Sequence, residues 1–216
     1  MLTLYTYFRS SAAFRVRIAL NLKGLAWTPE VIALPKGEQS GEAFRAVNPQ
    51  GLVPMLVDGE HRLAQSLAIM EYLDEAHPGP KLLPADALGR ARVRSLSMLI
   101  ASEIHPLNNL RVLNYLRHSV KADKATVEAW YRHWCTEGLG AYERQLADGG
   151  TGRFSHGDQV TMADACLVPQ IFNARRFDTP LEPFPRTLRV FDECMKLDAF
   201  QKAQPDAQPD AALAGS

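Results

Sequence analysis

The sequence predicts an α/β domain over residues 1–80, with element order βαβαββα, followed by an all-helical domain over residues 89–216 that ends in an extended tail. Three observations carry this reading. Hydrophobic spacing switches between the two-residue repeat of strands and the 3.6-residue repeat of helices as far as residue 76, and beyond residue 89 it is helical. The intervening stretch HPGPKLLPADALG, residues 77–89, concentrates the proline and glycine of a linker. The 216 residues, 46% hydrophobic and 22% charged, suffice for one large or two small cores and are too evenly mixed for a disordered chain.

Residues 2–5 form a short strand, and residues 12–23 a helix capped by Ser10 or Ser11 and stopped at Gly24. A second strand spans residues 27–34, a loop that looks mobile spans 35–40, and a short helix spans 41–47 ahead of the turn NPQG. Strands at 55–57 and 61–64 flank Asp58-Gly59, a pair that supplies the positive φ of a tight hairpin, and Ser66 caps a helix running to Ala76. In the second part, residues 89–118 read as one long helix kinked by Pro106, with further helices over 124–146, 161–177 and 185–196. Thr161 and Asp164 have the spacing of a capping box, which is folding chemistry and not catalysis. The tail, residues 203–216, carries QPDAQPDA and almost no apolar residue beyond Leu213, so it is expected to be extended or disordered unless it docks on the body.

Lys plus Arg and Asp plus Glu both number 24, so no excess charge is present to neutralise a nucleic-acid backbone. No apolar run approaches the roughly 20 residues of a membrane helix, and the opening MLTLYTYFRSS lacks the features of a signal peptide, which makes the cytoplasm the expected location. Cys135, Cys166 and Cys194 are odd in number and widely spaced, matching neither a disulfide framework nor a zinc site; three free, structural thiols and no metal are expected.

A βαβαββα unit whose first helix follows its first strand is the thioredoxin-like arrangement. A redox protein places Cys-x-x-Cys at that helix's N-terminus, where amides and the helix dipole lower a thiol pKa. Here the position reads Ser10-Ser11-Ala12-Ala13, so any sulfur must arrive with a ligand. A serine hydroxyl beside free amides stabilises a thiolate relative to the thiol, although the same dipeptide also serves as an ordinary cap. Val53-Pro54 enters a strand where a cis proline leaves the Val53 backbone free to pair with an extended peptide. Gln65-Ser66, at another helix start, forms a seat for an α-carboxylate, again with plain capping as the competing reading.

Together these segments resemble the glutathione S-transferases, and most closely their zeta class, which includes maleylacetoacetate isomerase and maleylpyruvate isomerase. RSSAAFRVRIALNLKG at residues 9–24 resembles the class's signature helix, and NPQGLVPML and QSLAIMEYLDE follow in register. EIHPLNNLRVLNYL, DQVTMADACLVPQIFNARRF and AFQKAQPDAQPD extend the resemblance over nearly the whole chain. Where the class signature often reads Ser-Ser-Cys, this chain has Ala12.

The resemblance implies a glutathione S-transferase fold, glutathione as cofactor, a homodimer and a small dicarboxylate substrate. It implies glutathione contacts from Ser10, Ser11, Ala12, Arg15, Gln39, Val53, Gln65 and Ser66 in the first domain, and from His105, Asn109 and Arg111 on the long helix. Ser10 is the residue that resembles the family's thiolate partner, with Ser11 beside it. Spacing puts His105 and Asn109 on one helix face, with Arg111 well round from them. Two carboxylates call for cationic partners; Arg9 beside Ser10 and Arg176, which resembles the class's second arginine, are the candidates, with Arg175 facing roughly 100 degrees away from Arg176.

The implied reaction is thiolate addition to a cis double bond, rotation and elimination, with the arginines stabilising the charge that develops on oxygen. Maleylacetoacetate, from tyrosine and phenylalanine breakdown, is favoured over maleylpyruvate because Ser10-Ser11 and the NNLRVL segment look more like that branch. The rival readings are a transferase that conjugates glutathione or removes halogen, a non-catalytic binding module of the same fold, and a glutaredoxin-like redox protein, which Ala12 and Ala13 disfavour.

Overall fold

The alternation in LTLYT places Leu2, Leu4 and Thr6 on one face, and all three are buried in strand β1 (Leu2–Thr6). The computed structural model describes residues 1–215, with side chains through residue 212; the Leu213 side chain and Ser216 of the tail lie outside the described residues. The chain divides into two compact units, Met1–Leu82 with Met195–Ser216, and Leu83–Cys194.

In the first unit β1 is central to a four-stranded sheet of order β2-β1-β3-β4. It runs parallel to β2 (Trp27–Val31) and antiparallel to β3 (Met55–Asp58), which pairs antiparallel with β4 (His61–Ala64). Gly59, at φ 58°, takes the positive φ that the two-residue hairpin loop between Asp58 and His61 requires. Helices α1 (Ser11–Leu22) and α3 (Ser66–Ala76) pack on each other, burying Phe14, Ile18, Ile69, Met70 and Leu73. At the far end of α1 from Ser10, the fully buried Lys23 ammonium meets Asp74 at 3.3 Å, and the same carboxylate oxygen accepts the Leu82 N–H at 2.8 Å. The expected βαβαββα order is therefore present, with α2 (Glu42–Val47) as its second helix.

Strand β2 stops at Val31, short of the expected residue 34, and the loop at 35–40 is not irregular. Pro35, which has no N–H for a ladder, sits inside a 3-10 turn at Leu34–Lys36, and a second turn follows at Glu38–Ser40 through Gly37 at φ 77°.

The tail docks on the body, the alternative that the sequence reading left open, and it departs from that reading in placement. Residues 198–215 form a short helix α9 (Asp198–Gln201) and two 3-10 turns, and they belong with the first unit instead of extending the helical domain. Main-chain groups do most of the docking: Arg17 Nε donates to the Ala203 carbonyl at 3.1 Å, Asn21 Nδ2 to that of Ala199 at 3.0 Å, and the Phe8 N–H to Asp210 Oδ2 at 2.8 Å. Hydropathy does not register such contacts, although Phe200 and Ala203 are fully buried.

The second unit contains α4 (Ala87–Met98), α5 (Leu110–His118), α6 (Lys124–Leu146), α7 (Met162–Arg176) and most of α8 (Pro185–Met195). The single helix expected over 89–118 is two helices. After α4 the chain loosens into a π-helical stretch, Leu99–Ile104, seen where the His105 N–H reaches back five residues to the Ile100 carbonyl at 2.9 Å. Pro106 lacks the N–H to continue, and α5 restarts when Asn109, in extended conformation, accepts the Arg111 N–H on its side chain at 3.1 Å. Gly138 of α6 lets this stretch approach: a Cβ there would lie 2.2 Å from the Ile104 side chain. The Thr161–Asp164 capping box is present; Asp164 accepts the Thr161 N–H at 2.7 Å and the Ser155 N–H at 2.8 Å from inside the core. No helix among the described residues is long and apolar enough to cross a membrane.

Candidate active site

Ser10 is the cap of α1. Its backbone is extended (φ −71°, ψ 112°) and its Oγ accepts the Ala13 N–H at 3.2 Å. Because that contact uses an oxygen lone pair, the Ser10 O–H proton is left to donate, on a half-buried hydroxyl at the positive end of a 12-residue helix. Ser11 and Ala12 follow in the first turn, Ser11 buried and Ala12 partly exposed. All three cysteines are free and buried in α6, α7 and α8, and burial pushes the Cys135 and Cys194 thiols up. Cys135 and Cys194 thus lack the low-pKa setting that thiol chemistry needs.

Arg15 lies one turn along from Ser11, 2% exposed, and donates from Nη1 to Ser66 Oγ at 3.2 Å. That bond joins the second turn of α1 to the first turn of α3. Ser66 is the first helical residue of α3 and not its cap, a correction to the sequence reading; the cap is Gln65, at φ 70° and ψ 115°. A glutamine held at positive φ costs about 1–3 kcal/mol, and such strain gathers where backbone amides are presented to a ligand. Gln65 Nε2 in turn donates to Gln50 Oε1 at 3.0 Å.

Gln50 was missed in the sequence, where NPQG read only as a turn. Asn48 builds that turn, donating to the Leu52 carbonyl at 2.7 Å and accepting the Gln50 N–H at 3.1 Å. Gly51, at φ 63°, lies against the loop that bears Gln39, since a Cβ there would sit 2.8 Å from the Gln39 carbonyl. Gln39 Oε1 is enclosed with no hydrogen-bond partner, an acceptor suited to a ligand N–H. Val53 is buried, and the Val53-Pro54 bond is cis, as the sequence suggested. Ser10, Ser11 and Arg15 near the start of α1 are thus joined through the Arg15–Ser66 bond to Gln65 and Ser66 at the start of α3, with Gln39 on the turn before α2 and Gln50 and Val53 on the segment after it. Arg9 is exposed at the exit of β1, its guanidinium 4.9 Å from the Phe8 ring centre.

The remaining candidates belong to the second unit. His105 is half-buried at the end of the π-helical stretch, Asn109 is a cap, and Arg111 is exposed in the first turn of α5. His105 and Asn109 therefore do not share a helix face, because the chain between them is not helical. Arg176 ends α7, with its guanidinium 4.9 Å from the Phe177 ring centre, and Phe177 stacks on Tyr131 at 3.8 Å and 13°. Arg175 lies instead over Phe191, at 4.4 Å, so the two neighbouring arginines do face apart.

Residues 4–81 match the glutathione S-transferase N-terminal domain and residues 135–193 the C-terminal domain of the same family. The chain belongs to the glutathione S-transferase family. A maleylpyruvate isomerase from Ralstonia sp is 50% identical to this glutathione S-transferase over 97% of the chain and 99% of its own length. A solved holo structure of a maleylpyruvate isomerase, described as a bacterial zeta-class glutathione S-transferase, superposes with a TM-score of 0.95 at 49% identity, covering 97% of this chain and 99% of its own. A maleylacetoacetate isomerase from Methylobacterium extorquens AM1, solved with glutathione and malonate bound, also reaches a TM-score of 0.95, at 41% identity and the same coverage. Within its family this glutathione S-transferase is of the zeta class.

Proposed function

We propose that this zeta-class glutathione S-transferase is a glutathione-dependent cis–trans isomerase of maleylacetoacetate, acting in the cytoplasm as a homodimer. The observation that carries the reading is the Ser10 cap: a hydroxyl proton at the head of α1, on a scaffold with no cysteine in that helix turn. Near-full-length relatives named maleylacetoacetate isomerase, one of them solved with glutathione, support this reaction.

The residues present fit glutathione, a peptide with carboxylates at both ends. In this reading the α3 first turn and Ser66, held by Arg15, receive a carboxylate; Gln65 and Gln50 bond the neighbouring polar groups; Gln39 Oε1 accepts a donor; and the Val53 backbone pairs with the peptide. Ala12 adds its first-turn amide at the head of α1, where the Ser10 N–H is already taken by the Tyr7 carbonyl at 2.9 Å. Glutathione supplies a thiol that, once ionised, adds reversibly to a cis double bond and leaves after rotation about the resulting single bond. Ser10 donates its O–H toward the negative sulfur, and the α1 amides and dipole lower the cost of that charge. Arg9 and Arg176 are the candidates for the substrate's carboxylates, and His105, Asn109 and Arg111 are further candidates for glutathione.

Maleylpyruvate is a second reading with its own support, the 50% identical Ralstonia relative. The deciding experiment measures turnover of maleylacetone and maleylpyruvate by the purified protein, with and without glutathione, while free thiol is followed. Glutathione-dependent conversion to the trans acid without thiol loss is the expected result, and the faster substrate names the branch. Stoichiometric thiol consumption would replace the isomerase with a conjugating transferase, and no conversion with a binding module.

A further inference from the structure

Four residues, 7–10, separate β1 from α1, and they carry both Arg9 and Ser10. Their backbone is held from two directions. From α1, two turns beyond Ser10, the fully buried Arg17 donates from Nη1 to Thr6 Oγ1 at 3.1 Å and to the Tyr7 carbonyl at 3.4 Å, and from Nη2 to the Phe8 carbonyl at 3.0 Å. From the docked tail, Asp210, 5% exposed, accepts the Phe8 N–H at 2.8 Å. Arg17 Nε reaches back to the tail at Ala203, so guanidinium and carboxylate clamp the segment and the tail together. Burial lowers the Arg17 pKa to about 9, and the Asp210 charge opposes that shift, which marks the two as charge partners.

Given the role proposed for Ser10, we infer that Asp210 is a positioning residue for isomerisation: by holding the Phe8 amide from the C-terminal tail, it sets where α1 begins and so where the Ser10 hydroxyl stands. The tail has another anchor that does not touch this segment, the Asn21–Ala199 bond at the other end of α1. Loss of Asn21 loosens the tail alone; loss of Asp210 loosens the tail and frees the Phe8 amide. A displaced hydroxyl stabilises thiolate less, and misplacement on the ångström scale costs about a hundredfold in rate at the upper end.

The test compares Asp210→Ala, Asp210→Asn, Asn21→Ala and Ser10→Ala in the full chain. The pKa of bound glutathione is read from thiolate absorbance across pH, kcat and KM come from maleylacetone, and Tm follows folding. Asp210→Ala is expected to raise the bound-thiol pKa and lower kcat with little change in KM, while Asn21→Ala lowers Tm only. Asp210→Asn keeps an acceptor for Phe8 but leaves Arg17 without its counter-charge, so it should lose Tm while retaining most of the wild-type thiol pKa. Equal effects of Asp210→Ala and Asn21→Ala on thiol pKa, or none from either, overturn the positioning role. If Ser10→Ala also leaves that pKa unchanged, the Ser10 assignment falls with it; if Ser10→Ala raises it and Asp210→Ala does not, only the role of Asp210 falls.

Discussion

Arg15 donates to Ser66 Oγ at 3.2 Å, and that bond ties the second turn of α1 to the first turn of α3. A cation 2% exposed between two helix starts is expensive to bury, and it serves there as a brace for the groups assigned to the glutathione carboxylate.

Arg15→Leu removes the brace and is expected to weaken glutathione binding about tenfold or more, with a stability loss of about 1.5–3 kcal/mol, the range for a hydrogen bond to a charged group. Calorimetric titration with glutathione and a denaturant curve check both. Arg15→Lys is not conservative here, because an ammonium cannot reproduce the guanidinium fork.

Ser10→Ala removes the α1 cap and the donor to sulfur at once. The cap is worth about 0.5–2 kcal/mol of stability, and loss of a donor at developing negative charge costs about a hundredfold in kcat. Ser10→Thr retains both groups and should recover most of the Tm. A kcat unaltered in Ser10→Ala would remove Ser10 from the mechanism.

Arg176 is exposed, so Arg176→Ala should leave Tm close to wild type while raising KM for the dicarboxylate by about 10- to 100-fold. Arg175→Ala, which removes a group lying over Phe191, should not change KM. Steady-state kinetics on maleylacetone separates the two.

At the other end of α1, Lys23→Met leaves Asp74 buried beside an apolar side chain. Removing one member of such a pair costs about 3–5 kcal/mol, read as a shift in denaturation midpoint.

Glu143 supplies a pH test. Its burial raises the carboxyl pKa, but the Thr187 N–H and hydroxyl, both at 2.8 Å, with the Arg186 N–H at 3.0 Å and guanidinium at 3.3 Å, hold it below the usual value overall. The unfolded chain then binds the proton first as pH falls, so this stabilisation is complete above the ordinary glutamate pKa and is lost as pH drops through it to the lowered one. Glu143→Gln should lower Tm at neutral pH and narrow the gap to wild type in acid.

Much of the fold and part of the site were legible in the residue order. The Ser10 cap, the Gly24 stop, the Asp58-Gly59 hairpin and the Thr161–Asp164 box are contacts within a few positions, which local chemistry specifies by itself. The break between His105 and Asn109 was hidden because apolar spacing continues through it, although Pro106 and Asn109 are the residues that cause it. Gln50 was passed over because its partner, Gln65, is fifteen positions away.

By itself the sequence determined the two-part plan, the replacement of a thiol by a serine at the head of α1, and the family likeness, all of which rest on residue type and short-range spacing. Tertiary structure alone decided that Arg15 braces Ser66, that Gln65 rather than Ser66 occupies the strained cap, and that the tail returns to the first unit to hold Phe8 through Asp210. The first joins two side chains far apart in the chain, the second is a backbone conformation that the packing of α3 imposes, and the third joins a distant carboxylate to a main-chain amide. Every residue has the same main-chain donors and acceptors, proline's missing N–H apart, so only folding selects which of them a buried charge will find.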